Sequence, residues 1–386
     1  MNRKIALLND SFPPQIDGVA NTVVNYAKHL SDTDEVTVIT PYYPNVEDHY
    51  GFKVDRYFSF PASKRIGYRI GNPIAVENFK YFFKKNHFDI IHVHSPFSSG
   101  VLSRIIRRKD TVVIVTYHTK FEEDFEKRLK TKLFKDAATK FLRDNIKACD
   151  EVWTVSEGAA RSLRYIGYTG PYYVMENGTD MPKGKAPQAC IDAVCTKYHI
   201  PDGVPLILFI GRMMWYKNVR LTLDACKAAK ERGLPFRALF IGDGYDRLEM
   251  IRYADGLGLS DCVSFPGAEN DRSVIYALYS RATALSFPSV YDTSGLVVKE
   301  AAACACPSIL IKGSCAAEGI TDGVNGFLAE EETSEAVAEQ LCRVLSDLKK
   351  AEEVGQNAQE TVYLSWEESI RRASERYDLL LAKKKA

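Results

Sequence analysis

Short runs of aliphatic and β-branched residues alternate along the chain with longer stretches whose apolar positions return every three or four residues. In the first half the short runs are 4–8 (KIALL), 35–40 (EVTVIT), 90–93 (IIHV), 112–116 (VVIVT) and 151–155 (EVWTV). Their shortness and continuous apolar character predict strands buried on both faces of a sheet. Between them the pattern predicts helices over 18–31, 73–86, 98–108, 126–148 and 157–165. Strands separated by helices imply βαβ units and a parallel sheet. The pattern restarts after residue 200, with runs at 205–210, 237–241, 262–265, 283–287 and 307–311. The segment 180–200, with Pro182, Gly184 and Pro187 and with Pro201 just beyond, reads as a hinge between two Rossmann-like domains. The stretch 365–386 sets Ile370, Ala373, Tyr377, Leu380 and Leu381 on one helical face and has no strand after it. The expected organisation is therefore 1–180, 181–364, and a helix 365–386 packing back on the first domain.

Composition narrows the class. A chain of 386 residues suits two domains of ordinary size. No run of 18 apolar residues occurs, so no membrane-spanning helix is expected. Nine cysteines, an odd number, show no paired metal-ligand spacing, which fits reduced thiols in a cytoplasmic protein. The net charge of +1 hides an asymmetry. Residues 1–175 carry 26 Lys and Arg against 20 Asp and Glu, and the remainder carries 25 against 30. The first half is the one an anionic surface attracts. The first strand is not followed by GxGxxG, so a standard dinucleotide fingerprint is missing.

The most informative stretch is 287–306, FPSVYDTSGLVVKEAAACAC. A strand ends at Phe287, a loop carries Asp292, and Thr293-Ser294-Gly295-Leu296 opens a helix that holds Glu300. Two carboxylates thus lie at the carboxyl end of a strand, beside a helix N-terminus whose free N–H groups suit a phosphate. The alternative is an ordinary βα unit with surface acids. Arg212 and Lys217 follow the first strand of the second half, where two cations can clamp a diphosphate. Gly18, after Asp17 and the first strand, allows close backbone approach by a ligand, although a plain helix cap also explains it. His118 ends the strand 112–116, where open α/β sheets place ligands. His92 and His94 share a face at i,i+2 spacing with no third metal ligand evident. Asp32-Thr33-Asp34 has a D-x-D spacing but reads as a solvated turn. Residues 126–147 read as one amphipathic helix with eight Lys and Arg against three Asp and Glu. Lys64, Arg65 and Arg69 add to the same basic character. That helix is either a domain helix with a charged outer face or a contact for anionic lipid headgroups. No strand interleaves aromatic and basic residues as a nucleic-acid platform does, so no nucleic-acid partner is expected.

Taken together, these residues resemble the family 4 glycosyltransferases, retaining enzymes of the GT-B fold. The resemblance covers essentially the whole chain and includes Asp17-Gly18-Val19, Tyr117-His118-Thr119, Asn177-Gly178-Thr179-Asp180, Gly211-Arg212 with Lys217, Gly242-Asp243-Gly244, Phe265-Pro266-Gly267 and the Asp292/Glu300 stretch. It implies an α/β protein of two Rossmann-like domains whose parallel sheets face across a cleft. The second domain would bind a nucleoside diphosphate sugar and the first an acceptor. Arg212 and Lys217 would hold the diphosphate, Glu300 the ribose, and Asp292 a hydroxyl of the donor sugar. Thr293, Ser294, Gly295 and Leu296 would supply backbone N–H groups, and the base would lie near Gly267. Gly18 would approach the phosphate, and His118 the sugar near its reacting carbon. The family usually has Glu where this chain has Asp292, one methylene shorter. No cofactor is required in this scheme, because the nucleotide sugar is a substrate and the cations replace an essential divalent metal.

Within the family the chain looks most like lipid glucosyltransferases such as those acting on diacylglycerol. The expectation is a hexosyltransferase using UDP-glucose, working in the cytoplasm and peripherally on the inner face of the cell membrane. The alternatives are a transferase for a soluble acceptor, a nucleotide-sugar 2-epimerase, and an inactive carbohydrate- or lipid-binding protein.

Overall fold

The computed structural model describes residues 2–15, 17–61, 69–74, 87–128 and 131–385. The expected helix 73–86 falls largely on residues outside this set, as do Lys64, Arg65, Leu129 and Lys130. The chain divides into two compact units, Met1–Asn177 with Trp366–Ala386, and Gly178–Ser365.

The first unit contains β1 (Lys4–Leu8), β2 (Glu35–Pro41), β3 (Lys53–Tyr57), β4 (Ser59–Pro61), β5 (Arg69–Gly71), β6 (Ile90–Val93), β7 (Val112–Tyr117), β8 (Glu151–Thr154) and β9 (Tyr173–Val174). Seven of these form one sheet in the order β3-β2-β1-β6-β7-β8-β9, and every pairing in it is parallel. β4 and β5 make a separate antiparallel pair. The continuous apolar runs are explained by burial of both faces. Ile5 and Leu7 of β1 pack into one apolar cluster with Tyr26, Trp153 and Tyr377, while Ala6 and Leu8 pack into another with Val93, Val115 and Leu142. The helix Trp366–Lys385 belongs to this unit and buries Trp366, Ser369, Ile370, Ala373 and Tyr377.

Two expectations are corrected here. Residues 126–147 are not one helix: one helix spans Phe121–Arg128 and a second spans Lys132–Lys147. Thr131 starts the second, with an extended backbone and a side chain that accepts from the Phe134 N–H, an N-cap that a continuous helix does not allow. The reading of Asp32-Thr33-Asp34 as a solvated turn holds for Asp32 and Thr33, which are exposed, and fails for Asp34. Asp34 is buried and takes a two-pronged contact from Arg3, Nε to Oδ1 at 2.9 Å and Nη2 to Oδ2 at 2.6 Å. Arg3 also donates to the carbonyl and hydroxyl of Ser374, tying strand β1 to the last helix.

The second unit holds β10 (Leu206–Ile210), β11 (Arg237–Ile241), β12 (Val263–Gly267), β13 (Ala284–Ser286), β14 (Ser308–Ile311) and β15 (Phe327–Ala329). They form a parallel sheet in the order β12-β11-β10-β13-β14-β15. The segment 180–200 belongs to this unit and contains the helix Gln188–Lys197, whose Val194 is buried in the unit's core. In both sheets the chain reverses its direction of winding between two central strands, β1 and β6 in the first, β10 and β13 in the second. Loops at the carboxyl ends of such a pair part from one another and leave room for a ligand.

Candidate functional site

In the second unit the reversal lies between β10 and β13, and the sequence-predicted residues gather there. After β10 the chain passes Gly211 and Arg212 into a short 3-10 helix, Trp215–Lys217. Arg212 is exposed, and its loop is pinned by backbone bonds on both sides, Gly211 N to Ile241 O at 3.0 Å and Met213 N to Asp243 O at 3.0 Å. Lys217 is only 7% exposed. Its ammonium lies near the rings of Tyr216, Phe287 and Tyr291 and pairs with the Asp292 carboxylate. Asp292 also accepts from the Ser289 hydroxyl at 2.5 Å. The loop after β10 is thus joined to the loop after β13 by an ion pair between two residues to which the resemblance gives separate ligand contacts.

The helix Leu296–Ala303 begins at Gly295, in the left-handed region at φ 56°. A side chain there would also meet Ala316, whose Cβ lies 2.8 Å from the place a Gly295 Cβ would take. Both facts require glycine at the turn that aims this helix's N-terminus. Glu300 lies within the helix, with a side chain only 14% exposed. One carboxylate oxygen accepts from Arg272 at 2.8 Å and the other from the Tyr279 hydroxyl at 2.9 Å. Burial pushes the Glu300 carboxyl above its ordinary range, and the Arg272 guanidinium pulls it part of the way back. Arg272 also bonds Asp180 at 2.5 Å. Arg272 and Tyr279 were not singled out in the sequence. Their spacing of seven on one helix, Arg272–Arg281, is the available signal, since it places both on one face. Gly267 closes β12, and its carbonyl accepts from the Gly242 N–H at 2.9 Å.

In the first unit, Asp17 caps the helix Gly18–Leu30 by accepting from the Ala20 N–H at 2.7 Å. A Cβ built at Gly18 would meet no atom of the described residues within 4 Å beyond its own chain neighbours and helix backbone. Packing among the described residues therefore gives no reason for glycine there. Asp10, after β1, accepts from the Ser95 hydroxyl at 2.5 Å and from the Ser99 hydroxyl and N–H at 2.8 Å each, which fixes the loop after β6. His118 follows β7 and is buried, with Nε2 lying 3.0 Å from Nδ1 of His94. His92 bonds the Tyr377 hydroxyl and the Thr116 hydroxyl, both at 2.6 Å. Arg212, Lys217, Asp292, Glu300 and the Thr293–Leu296 turn thus belong to one unit, and Gly18 and His118 to the other.

Residues 16–182 match the family described as Glycosyltransferase Family 4, and residues 194–361 match Glycosyl transferases group 1. The chain belongs to the GT-B glycosyltransferases. Among relatives, the alpha-monoglucosyldiacylglycerol synthase of Streptococcus pneumoniae is 26% identical over 351 residues, covering 88% of this chain and 78% of that one. Among solved structures, sucrose-phosphate synthase from Thermosynechococcus elongatus superimposes with a TM-score of 0.80 at 20% identity, over 99% of this chain and 100% of the other. HepE from Anabaena, solved with UDP-glucose, gives 0.75 at 17% identity, over 98% and 100%. The glycosyltransferase motifs after β10 and β13 therefore fall on the reversal point of the second sheet, where a doubly wound fold takes its ligand.

Proposed function

We propose that this glycosyltransferase moves glucose from UDP-glucose, with retention of configuration, to a hydroxyl of a membrane lipid of the diacylglycerol class. Arg212, Lys217 and the N-terminus of the helix Leu296–Ala303 balance the charge of the diphosphate as it leaves, so a divalent ion is not needed for that task. The bond from the anomeric carbon to the diphosphate oxygen breaks, the acceptor oxygen bonds the same carbon from the same face, and its proton passes to the departing diphosphate. Glu300, oriented by Arg272 and Tyr279, takes the ribose hydroxyls. Asp292 holds a sugar hydroxyl beside Lys217, and His118 serves the sugar near its reacting carbon.

The observation that carries the lipid part is the outer surface of the helix Lys132–Lys147. Leu133, Phe134 and Phe141 are 76%, 64% and 45% exposed, among the exposed cations Lys132, Lys140 and Lys147. Phe134 and Phe141 are seven residues apart and lie on one stripe. A water-facing helix gains nothing from exposed aromatic rings, whereas rings among lysines suit an anionic bilayer. The name of the Streptococcus pneumoniae relative supports the same acceptor class, and HepE, solved with UDP-glucose, supports the donor. No helix among the described residues is long and apolar enough to cross a membrane, so the proposed contact is peripheral.

The protein should sediment with vesicles containing anionic lipid at low salt and less so as salt rises. Each of Lys132→Glu, Lys140→Glu and Lys147→Glu should weaken binding by about 1 kcal/mol or more. Transfer is then read by mass spectrometry from a panel of nucleotide sugars offered with diacylglycerol or with soluble sugars. Glucosylated lipid from UDP-glucose is the expected product. No vesicle binding at low salt, together with transfer only to soluble sugars, would replace the lipid reading. For the donor side, Glu300→Gln should weaken UDP binding by roughly 1–3 kcal/mol, because a charged acceptor becomes neutral. Equal affinity in calorimetry would leave Glu300 only a structural partner of Arg272 and Tyr279.

A further inference from the structure

His94 is not used in the reaction above, yet its ring is among the most confined in the first unit. It follows β6, and its backbone N–H donates to the Leu8 carbonyl at 2.8 Å. His94 is 2% exposed. It lies against His92, with centroids 4.1 Å apart, and beside the Tyr26 ring at 5.1 Å. His92 is itself held at both nitrogens by Tyr377 and Thr116. The His94 ring therefore has little freedom to turn, and its Nδ1 faces Nε2 of His118 at 3.0 Å.

Two imidazole nitrogens at that distance share one proton. If both carried one they would repel, and if neither did, two lone pairs would face each other. Burial keeps both rings neutral, with the His94 ring well below its usual range and the His118 ring pushed down to about 3. The other nitrogen of His94 favours one of the two directions. Nε2 is buried and has no hydrogen-bond partner among the described residues. If His118 donated, the His94 proton would sit on Nε2 as a buried, unpaired N–H. If His94 donates from Nδ1, only a lone pair is left there, and a bare acceptor is the more readily tolerated of the two in a protein interior.

We propose that His94 is a positioning residue that donates from Nδ1 to Nε2 of His118 and so fixes His118 as the tautomer protonated on Nδ1. This rests on the reading of His118 as a sugar-facing group. His118 then presents one defined polarity, an N–H at Nδ1, to what it meets in the reaction. Without the His94 donor, Nε2 of His118 loses the N–H that keeps it an acceptor, and the share of molecules protonated at that nitrogen rises.

The test uses the full-length enzyme with 15N-labelled histidine, the His118 signals being assigned by their loss in His118→Ala. In the unsubstituted protein, His118 should show a bare Nε2 and a protonated Nδ1. His94→Leu should mix or reverse that state and lower kcat by about tenfold to a hundredfold, the scale of a misoriented catalytic group, with UDP affinity unchanged. His94→Asn places an amide N–H close to the position of Nδ1 and should restore most of the transfer and the original tautomer. A role in packing alone would make leucine at least as good as asparagine. Protonated Nε2 on His118 in the unsubstituted protein overturns the proposal even if no variant folds. Full transfer in His94→Leu, with transfer impaired in His118→Ala, also overturns it while leaving the reading of His118 intact. Full transfer in His118→Ala removes that reading and this proposal together.

Discussion

Arg212→Ala is expected to lower sugar transfer by about 100-fold or more with the melting temperature unchanged, because its side chain is exposed and its loop is held by backbone bonds. The loss should fall on kcat as well as on kcat/KM, since the charge on the leaving diphosphate grows toward the transition state. Lys217→Ala should be equally damaging to transfer but should also cost stability. Lys217 is buried and paired with Asp292, so its removal leaves a partly buried carboxylate with the Ser289 hydroxyl and no cation. The contrast between an exposed and a buried cation in one site separates catalytic from structural loss. Steady-state kinetics with melting curves on both variants and on the double variant decide the matter. Transfer within about threefold of the unsubstituted enzyme in a folded double variant would remove the diphosphate assignment.

Gly242→Ala should be the most destabilising single methyl addition in the second unit. The residue has φ 144°, where a side chain is strained, and the added Cβ would lie 1.9 Å from the Gly211 carbonyl oxygen. The carbonyl is backbone and cannot swing aside, so the loops after β10 and β11 would have to part. A cost of about 3 kcal/mol or more is expected, with a drop in melting temperature of several degrees. The same movement would shift Arg212, so transfer should fall in whatever fraction remains folded. Thermal unfolding followed by calorimetry is the measurement. A melting temperature within about 2 °C of the unsubstituted protein would show that these loops are not locked together. The Gly242-Asp243-Gly244 motif carries the family resemblance, and its physical reason here is close packing: a Cβ at Gly244 would lie 2.4 Å from the Met213 carbonyl oxygen.

The two-sheet architecture was legible because buried parallel strands leave a strong local mark. Runs such as Ile5–Leu8, Val112–Val115 and Leu206–Ile210 are apolar on both faces, and the expected strand at 237–241 coincides with Arg237–Ile241. The strands that went unread, β3, β4, β5, β9 and β15, are short or lie at sheet edges, where one face or end is open to water and the pattern weakens. The helix boundary at Thr131 was missed for a different reason. A threonine within a run of apolar positions at helical spacing reads as part of the helix, and only its extended backbone reveals it as a cap.

By itself the sequence determined what local chemistry can determine. It showed the buried central strands, that glycines and acids cluster at strand ends, and that cations follow the first strand of the second half. Tertiary structure alone decided which of these groups meet. Lys217 and Asp292 are 75 positions apart, His94 and His118 are 24 apart, and Arg272 and Glu300 are 28 apart. No periodicity links such pairs. Lys217 and Asp292 meet because the second sheet reverses its winding between β10 and β13, His94 and His118 because they leave the ends of the neighbouring strands β6 and β7, and Arg272 and Glu300 because their helices precede and follow β13. Once adjacent, buried charges and ring nitrogens must pair with whatever lies within reach, since an unpaired polar group in a dry interior costs more than the bond it forgoes.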